Sequence, residues 1–334
     1  MTIDFPYKIL NKHEICQQIN YLSTKHTPYL FIIDYKAEYG FVIPQNELNS
    51  DFISFQIEHT SSDKLNANIS DKYNFNWVIQ PLSLQAYQPK FDYVQAQIHQ
   101  GNSFLTNLTQ PTTLTTNLSL SDIFKKSKAK YKLWVKNQFT VLSPETFVQI
   151  RDGKISSFPM KGTIDATLPD AENIILNDPK EKAEHATIVD LIRNDLSIVA
   201  DNVQVKRFRY VETLRTNQGE LLQVSSEISG DLPHNFYEKL GDIIFSLLPA
   251  GSICGAPKAK TLEIIDTAEG YERGFYTGIF GFFDGQNLDS AVMIRFIEQQ
   301  GDQLVFKSGG GITSKSELHK EYNELIQKVY VPIY

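Results

Sequence analysis

The chain has 334 residues, 41% hydrophobic and 21% charged, with a formal net charge of −7. This is the composition of a soluble globular protein, large for one domain and small for two. An acidic balance without a basic block excludes nucleic acid as a partner, and no apolar run approaches the ~18 residues of a membrane-spanning helix. The opening MTIDFPYKILNKHE lacks the basic and apolar regions of an export leader. The two cysteines, Cys16 and Cys254, offer neither a disulfide framework nor metal-ligand spacing, so the expected location is the cytoplasm.

In chain order, residues 1–90 alternate short strand-like runs with polar turns, and YLFIIDYKAEYGFVI (29–43) reads as a hairpin. FDYVQAQIHQGNSFLTNLT (91–109) reads as a helix ended by Gly101 and followed by a strand. ETFVQIRDGKISSFPMKG places two strands around Asp152-Gly153, a strong turn signal. Continued to its open end, that hairpin would set Glu145 opposite residues 159–161, although a one-residue slip would reverse its face. Helical periods mark 179–200, 257–269 and 316–330, with strands such as FYTGIFGFF, SAVMIRFIE and QLVFKSGGG between them. The pattern predicts an α+β fold in a single domain.

Two of the helices carry acids where apolar residues belong. Asp178 as N-cap, Pro179 after it and Glu181 as a capping-box residue mark a helix start. At ~100° per residue, Glu181, Glu184 and Asp195 fall on the apolar stripe of Ile188, Leu191, Ile192 and Val199. Inward acids need a cation. In SELHKEYNELIQKVY, Glu321 and Glu324 border the stripe of Leu318, Tyr322, Leu325 and Val329. One such pair reads as a solvated face with an i,i+4 partner such as Lys328, whereas two on separate helices suit a shared hard cation such as Mg²⁺.

Gly251 and Gly255 precede Pro257 and a helix, a start that favours an anion. At Gly309–Gly311 either a ligand approaches the backbone or the chain turns. Arg295, in the strand AVMIRFIE, needs an acidic partner, structural or bound. Lys161, between Met160 and Gly162 in a half-buried strand, is either a surface lysine or a reactive one.

Together these segments resemble the chorismate-utilising enzymes, a family that includes anthranilate, aminodeoxychorismate, isochorismate and salicylate synthases. The matching motifs are SPE (143–145), PMKGT (159–163), DPKEKAEHATIVDLIRNDL (178–196), PAGSICGAPKAKTLEIID (249–266), RGFYTGIFGFF (273–283), IR (294–295) and GGGIT…EYNE (309–324). The resemblance implies two stacked antiparallel sheets flanked by helices, with the site in the cleft between them. It implies one catalytic domain over 1–334, its chorismate-binding core at 91–334 and a shorter, divergent part at 1–90.

For the site, the resemblance implies Mg²⁺ held by Glu184 and Glu324, with Glu181 and Glu321 next to it. Tyr276 and Arg295 match positions that take the enolpyruvyl carboxylate, and Gly162, Thr163 and Gly309, Gly310 and Gly311 match substrate-binding positions. Where anthranilate synthases usually read PIAGT, this chain has the lysine of the aminodeoxychorismate branch. There Lys161 would attack C2 of chorismate while Glu145 protonates the departing C4 hydroxyl, and ammonia then adds at C4. The chain shows no glutaminase nucleophile motif, so ammonia is expected from a separate glutamine amidotransferase subunit or from solution. The alternatives are anthranilate synthase component I and a catalytically silent chorismate binder.

The chain departs from the family at several positions. Leu105 stands where isochorismate and salicylate synthases carry a lysine base, which disfavours water as the nucleophile. Gln223 replaces a common histidine and Phe296 a common threonine, while His185 reads as a core-packing residue.

Overall fold

A computed structural model describes residues 5–57, 60–62, 75–216 and 219–333. The start of the stretch read for an export leader, residues 1–4, lies outside the described residues, as does 63–74 of the divergent N-terminal part. No helix among the described residues is long and apolar enough to cross a membrane.

Among the described residues all strand pairs are antiparallel, and the strands form two sheets flanked by helices, as the family resemblance implies. The first sheet runs in the order Leu10–Asn11, Tyr39–Pro44, Tyr29–Ile33, Ile279–Phe283, Leu288–Val292, Thr146–Arg151, Lys154–Ser157, Gly219–Asp231, Met160–Asp165, with Asp201–Thr216 also on Gly219–Asp231. The second runs Gly255–Ala256, Leu105–Thr116, Gln303–Ile312, Phe296–Gln300, Phe139–Ser143, Tyr131–Val135, Ile53–Ile57, Thr60–Ser61, with Trp77–Gln80 on Leu105–Thr116.

The strand Tyr29–Ile33 shows why the layers stack. Successive side chains of a strand point to opposite faces. Leu30 and Ile32 therefore join a core with Phe55, Leu133 and Val141 of the second sheet. Tyr29, Phe31 and Ile33 join another core with Ile15 and Ile19 of the helix Lys12–Thr24. A strand buried on both faces carries an unbroken apolar run. The hairpin 29–43 and the Asp152-Gly153 turn form as predicted, with Asp152 at φ +50° and Gly153 at φ +73° between the paired Arg151 and Lys154.

The helices at 179–200, 257–269 and 316–330 form, trimmed to Pro179–Leu196, Lys258–Glu269 and Leu318–Gln327. The run SAVMIRFIE is not one strand. The chain leaves the first sheet at Val292 and enters the second at Phe296, with Arg295 at the crossing in a left-handed conformation, φ +48°. Apolar residues continue on both sides of this bend because both strands are buried, so hydropathy does not mark it.

The hairpin around Asp152-Gly153 also differs from its expected course. Its ladder ends at Gln149–Ser156, after which Met160–Asp165 pairs with Gly219–Asp231 instead. Ladder pairing therefore does not set Glu145 opposite residues 159–161.

Candidate active site

A cleft of about 580 Å³ opens where both sheets and two helices meet, and every residue named above for catalysis, substrate or metal lines it. Lys161 reaches it through a bulge. Lys161 pairs with Val224 and Thr163 with Gln223, leaving Gly162 extra at φ +74°. A bulge re-aims the side chain beside it. A Cβ at Gly162 would lie 3.0 Å from Glu181 Oε2, so glycine answers to both backbone and space there.

The Lys161 amine stands 3.6 Å from Glu184 Oε2, with the two side chains 28% and 15% exposed. Glu324 Oε1 is 2.6 Å from Lys328 Nζ, which also donates to the Gly309 carbonyl at 2.9 Å. Lys328 is thus the i,i+4 partner read from the sequence, on a part-solvated helix face that also forms the cleft wall. Glu321 is buried beside Glu324, both within 3.6 Å of a Cβ position at Gly310. The four glutamates line one cleft as two pairs. Among the described residues, no three such groups converge closely enough to hold a metal ion as the chain stands. The donor set, all carboxylate oxygen, suits a hard divalent cation.

Gly309–Gly311 do not form a turn. They continue the strand Gln303–Ile312 and pair with Thr109, Leu108 and Asn107. A Cβ at Gly309 would meet Leu108 O at 2.3 Å, and one at Gly311 would lie 3.6 Å from Lys161 Nζ. The neighbouring strand Phe296–Gln300 pairs only as far as Lys307. Beyond it, this edge of the glycine segment has no strand partner among the described residues and faces the cleft. The crossing at Arg295 is what ends that neighbour, so one bend both frees the edge and delivers the arginine.

Arg295 donates to the Tyr330 hydroxyl at 2.7 Å and lies over that ring. Its expected carboxylate partner is not among the ion pairs of the described residues. Tyr276 is buried near Phe296, whose ring stacks on Phe139. Phe296 is thereby fully buried in the core between the sheets and does not line the cleft.

Glu145 accepts a short hydrogen bond from the Ser252 hydroxyl. Burial raises its carboxyl above the ordinary range, against that hydrogen bond and the charges of Lys161, Lys328 and Arg295. Glu145 and Lys161 therefore meet electrostatically across the cleft, not through a ladder. Asp195, the third inward acid, pairs with Lys258 at 2.9 Å. His185 is 1% exposed, shares a 2.7 Å hydrogen bond with Ser226 and is pushed down to about 4 by burial and by Arg209 and Lys161, which fits a core residue.

Gly251 and Gly255 are required by close approach. A Cβ at Gly255 would collide with the Leu105 carbonyl, and one at Gly251 would press on Asp195. Ser252, Asn107 and Gln327 also line the cleft without a signal in the sequence. The Gln223 carboxamide oxygen is buried there with no hydrogen-bond partner among the described residues.

A family model described as chorismate binding enzyme matches residues 56–333. The chain is 50% identical over 318 residues, 95% of its length and 96% of the relative's, to an "uncharacterized PabA-like protein" of Haemophilus influenzae. It is 34% identical over 265 residues, 74% of its length, to aminodeoxychorismate synthase component 1 of Klebsiella aerogenes, of which it spans 57%. The crystal structure of a 2,3-dihydroxybenzoate-specific isochorismate synthase from Bacillus anthracis superposes with a TM-score of 0.71 at 18% identity, covering 96% of this chain and 89% of that one. This last likeness shows the fold: two antiparallel sheets with flanking helices.

Proposed function

The chain belongs to the chorismate-binding enzyme family, and from that premise we propose that it aminates chorismate at C4 as one catalytic domain. The product would be 4-amino-4-deoxychorismate, the precursor of 4-aminobenzoate and folate. One observation carries the reading: the Lys161 amine lies in the cleft, 3.6 Å from Glu184 and within electrostatic reach of a buried Glu145.

In this reading the Lys161 amine attacks C2 while Glu145 gives its proton to the C4 hydroxyl, which departs as water. Burial favours the protonated carboxyl that this step needs. Ammonia then bonds to C4 and the lysine leaves. Leu105, 2.9 Å from a Cβ position at Gly311, places apolar surface near Lys161. That supports an amine rather than an activated water as nucleophile.

Arg295 and Tyr276 would take the enolpyruvyl carboxylate, Arg295 turning from Tyr330. Gly162, Thr163 and the open edge at Gly309–Gly311 would border the ring. Magnesium would be held by Glu184 and Glu324, with Glu181 and Glu321 beside it, and when bound supplies positive charge for the ring carboxylate.

Neither cysteine suits glutamine hydrolysis. Burial pushes Cys16 up to about 11, helped by Asp242, and Cys254 up to about 12. A thiol nucleophile needs the opposite shift. Ammonia would come from a separate amidotransferase subunit, in the cytoplasm. The test is turnover of chorismate with ammonium and Mg²⁺, the product identified by mass. Anthranilate, or no product, would overturn the reading.

A further inference from the structure

Glu145 borders two spaces. Besides the cleft, it lines a cavity of about 30 Å³ between the helix Pro179–Leu196, the strand Thr146–Arg151 and the loop Leu247–Ser252. Roughly 10–15 Å³ of such space admits one water-sized molecule, so the cavity has room for a small species of that size. Phe147, Ile192, Leu196, Leu247 and Val292 give it apolar wall, and Glu145 and Ser252 line both the cavity and the cleft.

The polar groups around this cavity have little left to donate. Ser252 donates a hydrogen bond to Glu145 and Ser157 donates one to the Phe147 carbonyl. Asp195 receives Lys258 on Oδ2, which leaves its other oxygen. What remains is acceptor capacity on carboxylates and hydroxyls. Among water-sized species, the complement to such a wall is one that only donates. Ammonium, with four N–H groups and no acceptor, meets that description better than water.

We propose that this cavity is a nitrogen site, which takes ammonium on one side of Glu145 while chorismate occupies the other. The inference rests on the amination reading. Glu145 in its acid form gives its proton to the C4 hydroxyl, the C4–O bond breaks as the Lys161 nitrogen bonds to C2, and water leaves. Ammonium then returns a proton to the Glu145 carboxylate. The ammonia so formed bonds to C4 as the C2–N bond to Lys161 breaks, and the product carries C4–NH₃⁺. Chorismate and ammonium enter, the aminated product and water leave, and Glu145 and Lys161 regain their starting forms.

Two measurements test the site. Ala250, buried on the cavity wall and outside the lining of the cleft, becomes valine in Ala250→Val, which fills space in the cavity. The Michaelis constant for ammonium should rise about tenfold, the scale of a methylene-sized misfit, while that for chorismate stays within about twofold. Asp195→Asn, which keeps the volume and removes the charge, should act in the same direction. Thallous ion, a monovalent stand-in for ammonium, should give an anomalous peak beside Glu145 in soaked wild-type crystals and none in Ala250→Val. An unchanged ammonium constant, or a parallel rise for chorismate, overturns the site. Amination by a wild type that shows no thallium peak also overturns it. A peak in an enzyme that aminates nothing sinks the amination reading instead, and with it the role given to the cation.

Discussion

The Lys161 amine stands 3.6 Å from Glu184 Oε2 and 3.6 Å from where a Cβ on Gly311 would sit. The amine thus lies where a bulged strand of the first sheet, a helix and a strand of the second sheet converge. In the proposed reaction that amine becomes covalently bound. Wild-type enzyme given chorismate and Mg²⁺ without ammonia, and quenched within milliseconds, should gain the mass of chorismate less water on the peptide containing Lys161. Lys161→Ala should lose the adduct and most amination, and Glu145→Gln should block its formation. An adduct elsewhere, or none, would leave Lys161 without its nucleophilic role.

Glu184→Gln and Glu324→Gln should each weaken Mg²⁺ binding at least tenfold by calorimetry, since each removes an anionic oxygen from a hard cation's site. Glu181→Gln and Glu321→Gln should cost less. Circular dichroism should be unchanged in all four. Magnesium affinity that survives both of the first two substitutions would place the metal elsewhere.

Lys328 occupies Glu324 Oε1 at 2.6 Å, the oxygen a metal would need. Both side chains are more than two-fifths exposed, which limits such a pair to about 1 kcal/mol or less. Lys328→Met should therefore tighten Mg²⁺ binding in the absence of substrate by up to about fivefold. Weaker binding would mean that Lys328 positions Glu324 for the metal rather than competing with it.

Gly309 and Gly310 should respond differently to alanine. A methyl at Gly309 meets the Leu108 carbonyl at 2.3 Å, so Gly309→Ala must separate paired strands and lower the melting temperature. At Gly310 the nearest atom is Glu324 Oε1 at 3.3 Å, the end of a flexible side chain. Gly310→Ala should fold normally and lose Mg²⁺ affinity. Equal melting losses in the two variants would argue against this division.

Lys132 is 3% exposed, donates a hydrogen bond to the Ser127 carbonyl at 2.8 Å and is pushed down to about 8 by burial. Between that value and the usual lysine range, the unfolded chain binds more protons than the folded one. Stability from this group therefore rises with pH from about 8 toward 10.5, and its cost is fully present below 8. Lys132→Met should stabilise the protein at pH 7 by roughly 1–3 kcal/mol. The gain should shrink as pH rises through that window in denaturant titrations. A gain independent of pH would show that Lys132 is charged in neither state or in both.

What the sequence showed of the fold was what local chemistry specifies. Asp178-Pro179 and Asp152-Gly153 mark a helix start and a turn through backbone geometry alone, and Glu181 and Glu184 stand out because acids sit on an apolar stripe. The crossing at Arg295 was hidden because Val292 and Phe296 are equally buried in different sheets. The glycine run was ambiguous because close approach depends on Leu108, far away in sequence. Glu145 and Ser252 meet only through tertiary packing, and Lys328 could not be distinguished from a solvated partner without the cleft around it.

The pairing of Tyr29–Ile33 with Ile279–Phe283 also sets a schedule for synthesis. The hairpin of Tyr29–Ile33 and Tyr39–Pro44 can close early, but its inner edge waits for residues 279–283 to leave the ribosome. At about 5–20 residues per second, that wait is roughly 10–50 s. Throughout it, an apolar strand offers unpaired N–H and C=O groups to any other chain nearby. The newborn protein is thus most exposed to aggregation during elongation, and a chaperone that covers this edge should raise its yield more than any change at the cleft.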